Sequence, residues 1–205
     1  MFVFPGANAY LLPEEAESLK DIIRGSKSFF LAGYSLQRSP QKESALIALE
    51  KAYKLGKEIF FDPSTYTLIR DEKELVDEVV SKSTFLMMNR DEARELTGFT
   101  NVDEIIEELK SMKKSACLKL GENGSIVIHK KKVFHAPAFR IDPKDTTGAG
   151  DAYDAAFIHL YLKTLDIEKS AIFANWFSAM TITKYGPRTF PSKNEVKNFL
   201  TNLFK

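Results

Sequence analysis

Asp145-Thr146-Thr147-Gly148-Ala149-Gly150-Asp151-Ala152-Tyr153 is the stretch on which the reading of this chain turns. Two glycines and an acid stand directly ahead of an apolar run, Ala155, Ala156, Phe157, Ile158, Leu160, Tyr161 and Leu162, that reads as a helix. A helix N-terminus leaves N–H groups without partners and carries the positive end of the helix dipole. Glycines let such a backbone close around an anion such as phosphate. An acid at the same place is positioned to take a proton from an attacking hydroxyl. The combination points to phosphoryl transfer. A tight turn in which Asp151 only complements the dipole accounts for the same residues, and Gly-x-Gly-Asp alone does not separate the two. The stretch is not a P-loop, since no Lys and Ser/Thr follow the second glycine, and it lacks the Gly-x-Gly-x-x-Gly spacing of a dinucleotide fold.

Outward from this loop, short β-rich runs alternate with helical patterns, the signature of an α/β fold with a mainly parallel sheet. Residues 28–32, 58–61, 84–88 and 116–120 read as core strands, and 125–129 with 132–135 as a hairpin. Pro13 and Pro40 suit the first position of a helix, with Ser39 as a cap for the second and Gly56 as its stop. Val102, Ile105, Ile106, Leu109 and Met112 form one apolar helical face. Ser192-Lys193-Asn194-Glu195 is a capping box ahead of a last helix carrying Val196, Phe199, Leu200 and Leu203. With no internal repeat or linker, the 205 residues are expected to form a single domain over 1–205.

Composition narrows the function. The 29 basic and 28 acidic residues give a net charge of +1, so no field draws nucleic acid or an anionic membrane. The single cysteine, Cys117, excludes an internal disulfide framework and reads as a core thiol within Ala116-Cys117-Leu118. His129, His135 and His159 are scattered and do not read as a metal site. The N-terminus lacks the basic and long apolar regions of a secretory signal. The apolar tract at 171–182, broken by Asn175 and Ser178, is too short to span a bilayer. The expectation is a cytoplasmic protein.

Taken together, these residues resemble the ribokinase-like carbohydrate kinases, the PfkB family. The family's Asp-Thr-x-Gly-Ala-Gly-Asp signature is matched at 145–151, and Ala152-Tyr153 and Ala155-Ala156-Phe157 suit its continuation. Three further features follow the family order: Asn89-Arg90-Asp91-Glu92 with Leu96 and Gly98; Lys119-Leu120-Gly121-Glu122-Asn123-Gly124; and Asn175 ahead of Gly186 and Pro191. The resemblance runs from about Phe4 to the C-terminus. It implies a ribokinase-like three-layer α/β/α fold with a mainly parallel central sheet, and an ATP-dependent kinase acting on a small sugar or sugar acid.

By that resemblance Asp151 is the general base, and the N–H groups of Gly148, Ala149 and Gly150 form the anion hole for the transferred phosphoryl. Asn89 and Glu92 match the family's Asn-x-x-Glu, which organises magnesium through water; a helix start with solvent-facing polar residues is the other reading of that pair. Lys119, Gly121 and Gly124 lie at the nucleotide, with Lys119 directed to its phosphates, although a hairpin turn alone explains both glycines. Asn175 falls near the adenine, or is a buried hydrogen-bonded asparagine. Asp145 and Thr147, with carbonyls near 181–186, resemble a loop for a monovalent cation, potassium.

Two departures stand out. The family section ahead of Phe4-Pro5-Gly6-Ala7-Asn8, which supplies a two-glycine substrate motif and the β-rich lid, has no counterpart here, so the fold is expected to lack the lid. A homo-oligomer or a partner chain is expected to cover the region. At Asp62-Pro63-Ser64-Thr65-Tyr66, Ser64 and Tyr66 stand where many sugar kinases carry the Asn and Arg of Asp-x-Asn-x-Arg, with Arg70 nearby. These departures keep two alternatives open: a non-catalytic nucleotide-binding or assembly module, and a nucleoside kinase of the same family.

Overall fold

Continuous apolar runs bounded by turn residues become buried parallel strands in the first part of the chain. The structure, a computed structural model, describes residues 6–130 and 132–205, apart from the side chain of Asn8. Phe4 and Pro5, where the family resemblance begins, lie outside the described residues. The chain divides into two compact units, Met1–Ser115 and Ala116–Lys205.

In the first unit, α1 (Pro13–Ser18) and α2 (Lys20–Gly25) precede β1 (Ser28–Ala32). Then come α3 (Gln41–Lys54), β2 (Glu58–Asp62), α4 (Tyr66–Asp71), α5 (Lys73–Lys82), β3 (Phe85–Asn89), α6 (Arg90–Thr97) and α7 (Val102–Ser111). β1 pairs with β2 and β2 with β3, both parallel, with Ser28 opposite Glu58 and Phe60 opposite Phe85. Ile59, Phe60 and Phe61 on β2, and Phe85 through Met88 on β3, are all buried, as strands covered on both faces require. The Phe60 and Phe85 rings stack at 5.2 Å between centroids.

Pro13 opens α1, its missing N–H costing nothing at a helix start. α3 starts one residue later than expected. Pro40 is its N-cap and makes no side-chain cap. Ser39 lies one position outside the cap, and its hydroxyl donates to Glu43 Oε1 at 2.6 Å. Gly56, at φ +63°, stops the helix just past Leu55. Ile105, Ile106 and Leu109 are the buried face of α7.

The second unit opens with an antiparallel meander of β4 (Ser115–Lys119), β5 (Ser125–His129) and β6 (Lys132–Ala136). Lys119 faces Ser125 across the first hairpin, and Ser125 in turn faces Ala136. The parallel sheet expected from the sequence is thus realised in the first unit, and the hairpins in the second. Three helices finish the chain: α8 (Ala149–Thr164), α9 (Ile167–Thr181) and α10 (Lys193–Leu203). α8 and α9 pack together, and both bury alanines, among them Ala152, Ala156, Ala171 and Ala174. Asp166 caps α9 by accepting from the N–H groups of Glu168 and Lys169, and the Ser192–Glu195 box caps α10. Trp176 stacks on Phe199 at 4.3 Å, tying α10 to α9. Among the described residues no helix is long and apolar enough to cross a membrane.

Gly33, directly after β1, touches the loop after β2. A Cβ there would lie 2.0 Å from the Pro63 carbonyl oxygen and 2.8 Å from Leu68 Cδ2. Gly33→Ala is expected to destabilise the protein by about 1–3 kcal/mol or more. Gly25→Ala, where a Cβ meets nothing within 4 Å, should stay within about 0.5 kcal/mol of the parent. Urea midpoints of the two variants check the contrast.

Candidate active site

The start of α8 is built on one left-handed residue. Gly148, its N-cap, has φ +82° and ψ 3°. A Cβ on Gly148 would crowd Pro187, 3.1 Å from its carbonyl oxygen and 3.2 Å from its Cβ, so backbone conformation and space both call for glycine. The Gly148 carbonyl accepts the first helical bond from Ala152 N–H at 2.9 Å, and Ala149 N–H donates to the Thr146 carbonyl at 3.2 Å. The Ala149 amide therefore closes the turn, so of the three amides read as an anion hole this one is already engaged.

The loop is braced against the segment after α9. Asp145 Oδ1 accepts from Thr147 N–H and Oδ2 from Gly186 N–H, both at 2.9 Å. The Thr147 hydroxyl foremost, then these two amides, hold the Asp145 carboxyl below the usual 3.8. Lys144 N–H donates to the Ile182 carbonyl at 2.8 Å. Ser178 Oγ on α9 donates to the Ala149 carbonyl at 2.8 Å. Asp145 and Thr147, expected at a monovalent-cation loop, thus stand together with the 182–186 segment.

Asp151 lies in the first turn of α8 and is exposed. One turn on, Asp154 is buried, and its carboxylate accepts from Lys119 Nζ at 3.1 and 3.2 Å. The same ammonium is 3.6 Å from the point where a Cβ on Gly150 would stand. Lys119 is therefore brought to the glycine loop, and Asp154, which sequence reading did not single out, is the buried acid that holds it there. Its signal was an acid three residues after Asp151, within a helix otherwise apolar at that depth. Behind the pair, Tyr153 donates to Ser125 Oγ at 2.9 Å. Burial first, then the Asp154 charge, pushes the Cys117 thiol well up, and burial likewise pushes up the Tyr153 phenol. Cys117 is a neutral core thiol, as its sequence context suggested.

Gly121 and Gly124 bracket a 3-10 turn between β4 and β5, closed by Leu120 N–H on the Gly124 carbonyl at 2.8 Å. Gly124 has φ +81°, and a Cβ would lie 2.1 Å from the Ala136 carbonyl oxygen. His135 Nε2 lies 2.7 Å from the Asn123 carbonyl oxygen, fastening the turn to β6. Asn175 Nδ2 donates to the Ala136 and Pro137 carbonyls at 2.9 and 3.1 Å. Its amide spans from α9 to the end of β6.

The first unit holds the remaining candidates. Asn89 caps α6: its Oδ1 accepts Glu92 N–H at 2.9 Å, while its own N–H and Nδ2 donate to Glu92 Oε2 and Oε1 at 2.8 and 2.7 Å. Glu92 is buried. Both oxygens of this carboxylate accept hydrogen bonds, a donor set suited to orienting the water of a hydrated ion rather than to direct ligation. Among the described residues no cluster of three or more His, Cys, Asp or Glu forms a metal site. Arg70 is bonded to Asp71 at 2.8 and 3.3 Å on the surface.

Residues 1–194 match the pfkB family of carbohydrate kinases. The chain belongs to that family. It is 27% identical over 208 residues to a deoxyribokinase of Salmonella typhi, covering 98% of this chain and 65% of that protein. The structure superposes on that of an adenosine kinase from Sinorhizobium meliloti with a TM-score of 0.84 at 25% identity, covering 95% of this chain and 59% of the other. A putative ribokinase II from E. coli, solved in complex with ATP and Mg2+, gives 0.84 at 21% identity over 98% of this chain and 67% of its own. The α/β fold is thus the ribokinase-like one. The chain spans 65% of the length of the deoxyribokinase.

The Asp145 brace has a pH signature. A carboxyl held below its usual value contributes stability that is present above about 3.8 and is lost as the pH falls through the lowered value. Asp145→Asn should unfold at lower urea than the parent at neutral pH and be cut faster by protease within 183–190. The urea gap should narrow as the pH falls from about 5 toward 3. A gap independent of pH would mean that the Asp145 charge does not hold the loop.

Proposed function

We propose that this protein is an ATP-dependent phosphotransferase of the sugar-kinase type, working as one domain over 1–205. The observation that carries this reading is the N-terminus of α8, where Gly148 sets a left-handed turn, Asp151 stands exposed in the first turn, and the Lys119 ammonium lies beside Gly150. Asp151 accepts the proton of a sugar hydroxyl as that oxygen attacks the γ-phosphorus and the bond to the β,γ-bridging oxygen breaks, releasing ADP. Gly148 and Gly150, with Ala149 if its turn opens, direct N–H groups at the charge on the transferred phosphoryl. The helix dipole adds to their effect.

Magnesium, when bound, neutralises the phosphates; Asn89 and Glu92 orient its water. Lys119 faces the phosphates, the Gly121–Gly124 turn borders the nucleotide, and Asn175 holds the end of β6 beside the base. Asp145 and Thr147, with neighbouring carbonyls, suit a potassium ion next to the anion hole. The acceptor is a small sugar or sugar acid, in keeping with the deoxyribokinase likeness. The adenosine kinase likeness keeps a nucleoside acceptor as the variant of the same chemistry.

A second reading has its own support. The chain spans 65% of the deoxyribokinase, and Ser64 and Tyr66 replace the asparagine and arginine usual in sugar kinases. A non-catalytic nucleotide-binding module would bind ATP with no acceptor-stimulated ADP release.

ADP release measured across sugars, sugar acids and nucleosides separates the readings. With an acceptor that stimulates release, Asp151→Asn should lower turnover by about 10²–10⁴ while leaving ATP affinity within a few-fold. Undiminished turnover in that variant removes Asp151 as the base, and ATP binding without release from any acceptor favours the binding module.

A further inference from the structure

We infer that Lys119 and Asp154 are a charge-compensated positioning pair that sets the electrostatic balance at Asp151 and holds an ammonium at the phosphoryl side of the α8 N-terminus. The inference rests on the reading of that loop as the phosphoryl-transfer site.

Geometry leads to it. Lys119 is the last residue of β4 and Asp154 lies in α8, 35 residues further along the chain. The contact is close to symmetric, 3.1 Å to Oδ1 and 3.2 Å to Oδ2. Both partners are withdrawn from water, with side chains 14% and 2% exposed. The ammonium also reaches the glycine loop, 3.6 Å from the Cβ position of Gly150. Asp151 and Asp154 are three residues apart in one helix, a spacing that puts side chains on one face at roughly 5–6 Å between Cβ atoms.

A buried ion pair is poor as a device for stability, because desolvation offsets its attraction. A structural strut at this depth is better made from apolar side chains. A charged pair one turn below the base has a different consequence. The ammonium favours ionised Asp151 and attracts a transferred phosphoryl, while Asp154 keeps the free loop from carrying a net positive charge.

The titratable groups around the pair are few. Cys117 on β4 and Tyr153 on α8 are buried and neutral. β5 faces the pair with Ser125 and carries His129 at its far end, against Tyr161. The buried residues of α9, the helix packed on α8, include no titratable side chain. Asp151 is the acid on the open side of the same helical face.

The test is the titration of the Asp151 side-chain carboxyl in the full chain by carbon-13 NMR, with the resonance assigned by its loss in Asp151→Asn. Lys119→Met removes the cation and should raise the Asp151 midpoint by about one pH unit. Asp154→Asn removes the anion and should lower it by a similar amount. The double variant should return close to the parent, and Lys119→Arg should keep the parent midpoint. If Lys119→Met does not fold, Asp154→Asn and the double variant still carry the test. A purely structural pair would lower the thermal midpoint of both single variants and leave the Asp151 titration in place. Midpoints within about 0.2 units in all folded variants would overturn the inference. Failure of the underlying reading shows separately: an Asp151→Asn protein that retains acceptor-dependent ADP release removes the base itself, whatever the midpoints do.

Discussion

The left-handed turn at Gly148 is the constraint on which the geometry of the glycine loop and the start of α8 depends. With φ at +82° the chain reverses into α8 so that the helix begins at a loop with no side chain at 148 or 150. For a residue other than glycine that conformation costs about 1–2 kcal/mol, and the contact with Pro187 adds a steric cost. The turn does not stand alone. Asp145 is fixed to Gly186 on one side, and Ser178 is fixed to the Ala149 carbonyl on the other. The loop is therefore clamped between its own helix and the segment that follows α9. Within the clamped loop the Ala149 amide is held by the Thr146 carbonyl.

The charges beneath that turn are arranged differently from those on the surface. Lys73–Asp77 is a helical pair with both side chains mostly in water, worth no more than about 1 kcal/mol. Lys119–Asp154 is buried, and removing one partner there would leave a charge without compensation at a cost of about 3–5 kcal/mol. The neighbouring Cys117 and Tyr153 are pushed toward their neutral forms by the same dry surroundings. Low polarity makes each remaining charge act over a longer range. The Lys119 ammonium of this pair stands beside Gly150, and Asp154 lies in the same helix as Asp151.

Much of this fold is legible in the sequence because burial writes itself into runs. The stretches at 58–61 and 84–88 are apolar without alternation, and both become strands buried on two faces. Their ends move by a residue, since pairing and capping, which involve distant partners, decide where a strand stops. The start of α3 is misjudged for a similar reason: Pro40 takes the N-cap position, and the Ser39 hydroxyl donates to Glu43 one turn on. The glycine loop is legible because its glycines and acid are contiguous. Asp154 is not, because its meaning comes from Lys119 on another element. Asn89 and Glu92 show a third case. The same two residues that match a magnesium motif also make a complete capping box, so the sequence pattern has two physical explanations, and the helix start accounts for one of them.

The altered Asp62–Tyr66 segment can be weighed in the same terms. Ser64 has φ +64°, a conformation that asparagine tolerates better than serine. Many family members carry asparagine at this position, and its replacement would be expected to disturb the turn. Two features keep the turn in place. Asp62, itself buried, accepts Ser64 N–H at 2.6 Å, and Pro63 lies against Gly33, where no side chain intervenes. The backbone shape thus has support that does not depend on the residue at 64. Tyr66 is another matter. It opens α4 with its side chain about half exposed, and the Arg70 guanidinium in the same helix is engaged by Asp71. The turn has kept its form while the cation that sugar kinases place there has been exchanged for an exposed aromatic ring. The difference lies in which side chains this segment presents rather than in how it folds.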